Sequence, residues 1–408
     1  MSKVFSLPPR PGADEPKPSG FASVEEILAE LSAGRMVIVL DDEDRENEGD
    51  LIMSAAHATP EAVAFMIRHT SGIICVPMEE ERLARLELPQ MVPANTESYR
   101  TAFTISVDYR HGTTTGVSSA DRSATIRALA SAQSTPADFA RPGHIFPLRP
   151  RRGGVLVRAG HTEAAIDLCK LAGLAPAGVL CELMNDDGTM ARRAQIELFA
   201  KRHNLKIGTI ADLIRYRLRN EHSVARVADH NVQTELGEFR LCAYRDLVNG
   251  FIHLALVRGR LDGTQVPLVR VHIADTLRDL LGVRGGSRAW TLRAALERIA
   301  RAQDGVVIVL RDQESPADLV EALREIVTPV GSGTAVAASA TARSSEPPAP
   351  AVTRGASGAP VLRTYGVGAQ ILKDLGVHRM RVLSAPKQMH GISAFGLEIE
   401  AYVDEDGV

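Results

Sequence analysis

What the chain lacks narrows its class first. No apolar run approaches the ~18 residues a membrane span needs, which excludes a transmembrane reading. There is no excess of positive charge: the formal net charge is −3, which excludes a nucleic-acid binder that depends on a general basic field. Cysteine is scarce. Cys75, Cys169, Cys181 and Cys242 form no CxxC pair, so adjacent spacing builds no cysteine zinc site, and the four fit a reducing cytoplasm. Residues 1–20 hold five prolines and no apolar stretch suited to a signal peptide, and they read as a disordered leader. An apolar fraction of 45% and a charged fraction of 24% over 408 residues leave room for two or three domains with ample core.

The most unusual stretch is Asp41-Asp42-Glu43-Asp44-Arg45-Glu46-Asn47-Glu48-Gly49-Asp50, seven carboxylates in ten residues between the apolar runs 36–40 and 51–56. Two readings stand. Acidic tracts are commonly solvated loops. Crowded carboxylates also repel one another, and an oxygen-binding cation, Mg²⁺ or Mn²⁺, neutralises them. Arg45 offers a planar fork to an anionic substrate, and Gly49 lets the backbone turn tightly.

Around this tract the chain alternates helix and strand. Ser23-Val24-Glu25-Glu26 is a capping box, and Val24, Ile27, Leu28 and Leu31 make one face of a helix that Gly34 ends. Residues 35–40 read as a buried strand delivering the acidic loop, and 51–55 carry the chain back into the core. Thr59 and Pro60 open a second helix with Val63, Met66 and Ile67 inward, and 73–76 follow as a strand. Residues 101–107 are strand-like. They lead to His111-Gly112-Thr113-Thr114-Thr115-Gly116-Val117-Ser118, either a backbone phosphate cradle or a polar turn before a capped helix.

Arg141-Pro142-Gly143-His144 reads as a rigid turn that presents His144. Residues 153–157 are strand-like, and Arg158-Ala159-Gly160-His161-Thr162-Glu163 then enters a helix over 164–171. Thr162 as N-cap puts His161 at the positive helix end, which suits a metal or an anion. Residues 178–183 read as a strand whose Glu182, among Val179, Leu180, Cys181 and Leu183, needs a partner or a raised pKa. Helices over 194–202 and 210–219 complete the pattern. It predicts an α+β domain, an α/β-type mixed sheet with helices, of about 200 residues.

A linker is expected at 220–235. Strands at 239–244, 252–257 and 267–273 then begin a second α+β domain with a β-rich start, spanning 236–408. A helix over 291–302 precedes a buried strand at 306–310. Residues 331–360, almost all Gly, Ala, Ser, Thr and Pro, are expected to be a disordered insertion. A helix over 368–375 and a strand over 380–383 restore order.

Taken together, the acidic loop, the Thr-Gly-Val-Ser turn, R-P-G-H, R-x-G-H-T-E-A and the strand V-L-C-E-L resemble 3,4-dihydroxy-2-butanone 4-phosphate synthase of riboflavin biosynthesis. The resemblance covers residues 21–219 and keeps the family's order. It implies conversion of D-ribulose 5-phosphate to L-3,4-dihydroxy-2-butanone 4-phosphate and formate by a homodimer with Mg²⁺ or Mn²⁺, two per site. By the same resemblance Glu46 and His161 are metal ligands, and His144 and Glu182 are catalytic. Arg45, Glu46, Asp50, Arg158, Ala159, Gly160, His161, Thr162 and Glu182 are substrate contacts. The chemistry suits them: a base and a Lewis acid at a ketone, with the substrate oxygens held in fixed orientation.

The second half resembles GTP cyclohydrolase II at Val269–His272, at Y-G-V-G-A-Q-I-L-K-D-L-G-V and at G-L-E-I. It departs where that family binds zinc through three cysteines. Those positions hold Asp275, Gly286 and Arg288, so no zinc is expected and GTP hydrolysis is expected to be lost. The half is then structural or regulatory. The alternatives are an enzyme keeping both activities, or a second half that is a non-catalytic nucleotide sensor.

Overall fold

The computed structural model describes residues 4–6, 20–261, 265–283, 290–311, 319–320, 323, 358–384 and 395–404. The chain divides into two compact units, with the main cut between Glu221 and His222; residues 1–13 group with the second unit and residues 356–363 with the first. Three residues of the expected disordered leader instead form a strand, β1 (Val4–Ser6), which joins the sheet of the second unit.

The first unit is built on a mixed seven-stranded sheet, as the alternation of elements predicts. Its strands are β2 (Val37–Leu40), β3 (Gly49–Ser54), β4 (Cys75–Pro77), β5 (Val107–Tyr109), β6 (Phe139–Leu148), β7 (Gly178–Glu182) and β8 (Ile207–Thr209). They are ordered β5-β6-β4-β7-β3-β2-β8. The helices are α1 (Val24–Ser32), α2 (Pro60–His69), α3 (Glu80–Arg85), α4 (Ser119–Ala130), α5 (His161–Leu171), α6 (Arg193–His203) and α7 (Ile210–Asn220). The capping box starts α1: Glu26 N–H donates to Ser23 Oγ at 3.1 Å, and Ser23 N–H donates back to the Glu26 carboxylate at 2.8 Å. Every residue of β2 and β3 is buried, as continuous apolar runs require when both faces are covered.

Alternation then decides which side chains meet. Ile38, Leu51, Met53, Val76, Ile145, Val179 and Cys181 join Val63, Met66, Ile126 and Leu129 of α2 and α4 in the core on one face. The residues between them, Val39, Asp50, His144 and Glu182, therefore belong to the other face, against which α5 packs. Register sets their height. Asp50 pairs with Glu182, and Cys75 pairs with Leu180 on one side and Phe146 on the other. β7 runs antiparallel to β4 and β6 runs parallel to it. Glu182, two residues after Leu180, and His144, two before Phe146, therefore stand at the same end of the sheet.

Several local expectations are corrected. Residues 153–157 are not a strand: Gly153 and Gly154 take φ of 93° and 63°, and a 3₁₀ turn over Gly154–Leu156 is held by Val155 N–H donating to Asp167 at 2.8 Å. Arg141-Pro142-Gly143-His144 is not a turn but the middle of β6. Gly143 is needed there because a Cβ would lie 2.0 Å from the Val107 carbonyl carbon on β5. Helix α5 begins at His161 with Gly160 as N-cap, so Thr162 is a buried residue of the first turn rather than the cap. The strand expected over 101–107 is reduced to bridges at Phe103 and Thr104 before β5.

The second unit is an eight-stranded sheet ordered β1-β15-β14-β12-β13-β11-β10-β9. Residues expected to be linker form β9 (Val224–Thr234), which continues as an antiparallel meander into β10 (Gly237–Asp246) and β11 (Ile252–Arg258), the predicted β-rich start. β12 (Leu268–Ile273), β13 (Gly305–Leu310), β14 (Arg379–Leu383) and β15 (Glu398–Val403) pair in parallel. Helix α8 (Leu292–Ala300) packs on Val307 and Val309, and α9 (Gly358–Asp374) packs on Val306, Ile308 and Leu310. Residues 331–357 of the expected insertion lie outside the described residues, and 358–360 open α9. Of the positions aligned with zinc cysteines, Asp275 is described and 286 and 288 are not. No described helix is long and apolar enough to cross a membrane.

Candidate active site and metal centre

The acidic tract is not a solvated tail but a loop tied down by its own first carboxylate. Asp41, whose side chain is fully buried, accepts from Glu46 N–H at 3.0 Å, from Glu48 N–H at 2.8 Å and from Arg45 Nη1 at 3.0 Å. These bonds offset the cost of crowding by occupying both of its oxygens. Two distant residues secure the outer turn. Arg192 donates to the carbonyls of Glu46 and Asn47 at 2.7 and 2.5 Å, and Tyr99 donates its hydroxyl to the Arg45 carbonyl at 2.9 Å. The Arg45 guanidinium lies 5.1 Å from the centre of the Tyr99 ring.

The loop delivers Glu46, and β3 delivers Asp50, to His161 at the start of α5. His161 donates Nε2–H to the Val39 carbonyl at 3.1 Å, which turns Nδ1 toward Asp50 at 3.7 Å and Glu46 at 3.8 Å. A backbone partner on the far nitrogen is the arrangement that fixes a metal-ligating imidazole. Ligand atoms of Asp41, Glu46 and His161 lie within 4.8 Å of one another, and Asp50 Oδ1 is buried with no hydrogen-bond partner among the described residues. Both Asp41 oxygens and Glu46 Oε2 already accept hydrogen bonds within the loop, whereas Asp50 Oδ1 accepts none among the described residues.

Charge is unevenly settled here. Burial, with Glu182, Glu46 and Glu48 nearby, pushes the Asp50 carboxyl up to about 8 against the pull of His161. Burial alone would lower the His161 pKa, but Asp50, Glu46 and Asp41 raise it to about 9. Burial also disfavours ionised Glu46, yet His161 and the Arg45 guanidinium, 2.6 Å away, bring it down to about 2. A buried pocket with more carboxylates than cations to match is the electrostatic signature of a cation site.

Glu182 stands beside Asp50 across the β3–β7 pair and accepts from the Ser71 hydroxyl at 2.6 Å. His144 is held apart from this group. It lies on β6, two strands from β7, or roughly 10 Å at ordinary strand spacing. Its partner is Asp108, which accepts from His144 Nδ1–H at 2.7 Å and from its main-chain N–H at 2.9 Å, leaving Nε2 outward. Arg158 binds Glu163 at 2.7 Å and the Thr101 hydroxyl at 3.1 Å. Gly160 caps α5 with no side chain, so no side-chain hydroxyl or carboxylate caps its first turn. A Cβ at Gly160 would lie 2.3 Å from the Arg158 guanidinium.

Of the residues expected from sequence, Arg45, Glu46, Asp50, His161 and Glu182 are thus brought together, Arg158 to Thr162 form the approach to α5, and His144 forms a separate dyad. Asp108, Ser71, Arg192 and Tyr99 were missed. Asp108, a carboxylate following an apolar strand pattern, left a faint trace in the sequence. The polar turn after β5 is no phosphate cradle at two of its amides, since Asp121 accepts from Thr114 and Gly116 N–H at 3.1 Å each.

The fold and the site define an acid–base enzyme arranged around a cation-binding cluster. Residues 25–216 match the family 3,4-dihydroxy-2-butanone 4-phosphate synthase, and residues 225–404 match GTP cyclohydrolase II. The 3,4-dihydroxy-2-butanone 4-phosphate synthase of Pseudomonas aeruginosa is 49% identical, over 93% of this chain and 98% of its own length. The bifunctional riboflavin biosynthesis protein RIBA 1 of Arabidopsis thaliana is 45% identical, over 95% of this chain and 69% of its own. The crystal structure of RibBX, a two-domain 3,4-dihydroxy-2-butanone 4-phosphate synthase from A. baumannii, matches with 42% identity and a TM-score of 0.76, over 93% of this chain and 99% of that one. The chain belongs to the 3,4-dihydroxy-2-butanone 4-phosphate synthase family, with a second unit of the GTP cyclohydrolase II family.

Proposed function

We propose that the first unit converts D-ribulose 5-phosphate to L-3,4-dihydroxy-2-butanone 4-phosphate and formate, a step of riboflavin biosynthesis. The observation that carries this reading is the unpartnered buried oxygen of Asp50 beside the oriented Nδ1 of His161 and the Glu46 carboxylate. Oxygen donors with one imidazole suit Mg²⁺ or Mn²⁺, and Glu46 and His161 would hold it, two ions per site. The ion supplies Lewis-acid polarisation of the substrate's carbonyl and hydroxyl oxygens. The chain's own groups do the rest. Glu182 and the His144–Asp108 dyad face a sugar from two sides and move protons on and off carbon and oxygen. Arg45 and Asp50 orient the hydroxyls. Arg158 and the amino end of α5 over Ala159–Thr162 receive the phosphate.

We take the working form to be a homodimer in the cytoplasm, where the four free, buried cysteines stay reduced. We propose further that the second unit does not hydrolyse GTP and acts as a structural or regulatory module. Residues 222–408 hold one cysteine, Cys242, which is buried on β10, whereas a three-thiolate zinc site needs three. The bifunctional name of the plant relative favours a second reading in which both activities persist. Purified full-length protein with Mg²⁺ should release formate from ribulose 5-phosphate, and Glu46→Ala or His161→Ala should each abolish both turnover and Mn²⁺ binding. Full turnover in both variants would sink the site assignment.

A further inference from the structure

If Glu182 handles protons, as proposed above, its carboxylate must be held in one orientation, and the inference that follows rests on that reading. The turn between α2 and β4 supplies the hold. Ser71 Oγ donates to Glu182 Oε2 at 2.6 Å, and Ser71 N–H donates to the Glu182 carbonyl at 2.9 Å. The same Ser71 Oγ accepts from Ile73 N–H at 3.2 Å and lies 3.3 Å from Cys181 Sγ, so the Glu182 carboxylate is its nearest partner. Thr70 braces the turn. Its hydroxyl lies 2.6 Å from the Met66 carbonyl at the end of α2 and 3.0 Å from Cys181 Sγ, and Gly72 N–H donates to it at 3.3 Å. Glu182 Oε1 takes no hydrogen bond among the described residues.

We infer that Ser71 is a positioning residue for Glu182: its hydroxyl clamps one carboxylate oxygen so that the other is presented on the face shared with Asp50. A purely structural role, ending α2, needs only the main-chain bonds and the volume of the side chain. The two roles separate by experiment. In full-length protein with saturating Mg²⁺, Ser71→Ala should lower kcat by about tenfold to hundredfold, the effect of losing one hydrogen bond to a charged group. KM should stay within about twofold, as for an interaction made chiefly in the transition state. Mn²⁺ affinity should not change, since the cation ligands are untouched.

Ser71→Thr, which keeps the hydroxyl, should restore most of kcat, and Ser71→Cys, similar in volume with a weaker donor, should fall between. Wild-type kcat in Ser71→Ala overturns the inference. So does an equal fall in Ala, Thr and Cys variants, or a KM that rises as far as kcat falls. If Ser71→Ala does not fold, the Thr and Cys variants carry the same comparison. Glu182→Gln keeps the two claims distinct: undiminished turnover there defeats the role of Glu182 itself, whereas its loss beside an active Ser71→Ala defeats only the clamp.

Discussion

His161 is hemmed in by carboxylates that keep its proton, and this sets how a cation must enter. Burial opposes the charge, but Asp50, Glu46 and Asp41 hold the imidazolium up to about 9. A cation that binds Nδ1 must displace that proton, so binding releases protons and affinity rises with pH through the neutral range, levelling toward about 9. Calorimetric Mn²⁺ titration in buffers of different ionisation enthalpy measures the release, and a pH-independent affinity would contradict it. Arg192 acts on the same site through the backbone. Arg192→Ala frees two carbonyls of the acidic loop and should weaken Mn²⁺ binding about 10–100-fold, the usual size of an outer-shell loss, read by electron paramagnetic resonance of free Mn²⁺. At this scale the sequence was partly legible. Glu46, Asp50, His161 and Glu182 stood in recognisable motifs with carboxylates in apolar settings. Arg192 lies 146 residues from Glu46 and Asp108 lies 36 from His144, separations that no helical or strand period connects.

Strands β2, β3 and β7 were legible because apolar runs bounded by turn residues have few other fates, and their register then fixes Asp50 opposite Glu182. Two of the elements that depart from expectation are ones where glycine changes the backbone. Gly153 and Gly154 adopt left-handed φ and turn an apolar run into a 3₁₀ segment around Asp167. Gly143 did the reverse, hiding a strand inside what looked like a turn, because its missing side chain lets β5 approach. Gly143→Ala puts a Cβ 2.0 Å from Val107 and 2.2 Å from the Asp108 amide, which must push β5 away and draw Asp108 off His144. The variant should lose about 1–3 kcal/mol in urea unfolding, the cost of overpacking, and more turnover than that loss alone explains. Wild-type stability with wild-type kcat would contradict the role given to this strand pair.

Across the whole chain, the two units differ in how far their sequences declare chemistry. The first brings Arg45, Glu46, Asp50, His161 and Glu182 together from a loop, two strands and a helix end, with His144 apart in β6. The second pairs β12 and β13 in parallel, with His272 bound to Asp279 at 2.7 Å, and residues 222–408 hold one cysteine, Cys242. Its fold is legible from the buried run 306–310 and the β-rich start, while β9 reads as linker because none of its residues is fully buried and polar residues interrupt its apolar ones. The most direct test sets both family reactions side by side on one preparation of the full chain. Supplied with Mg²⁺ and Zn²⁺, it should release formate from ribulose 5-phosphate and none from GTP. Formate from GTP, with none from ribulose 5-phosphate, would contradict the assignment of activity to the first unit and of silence to the second.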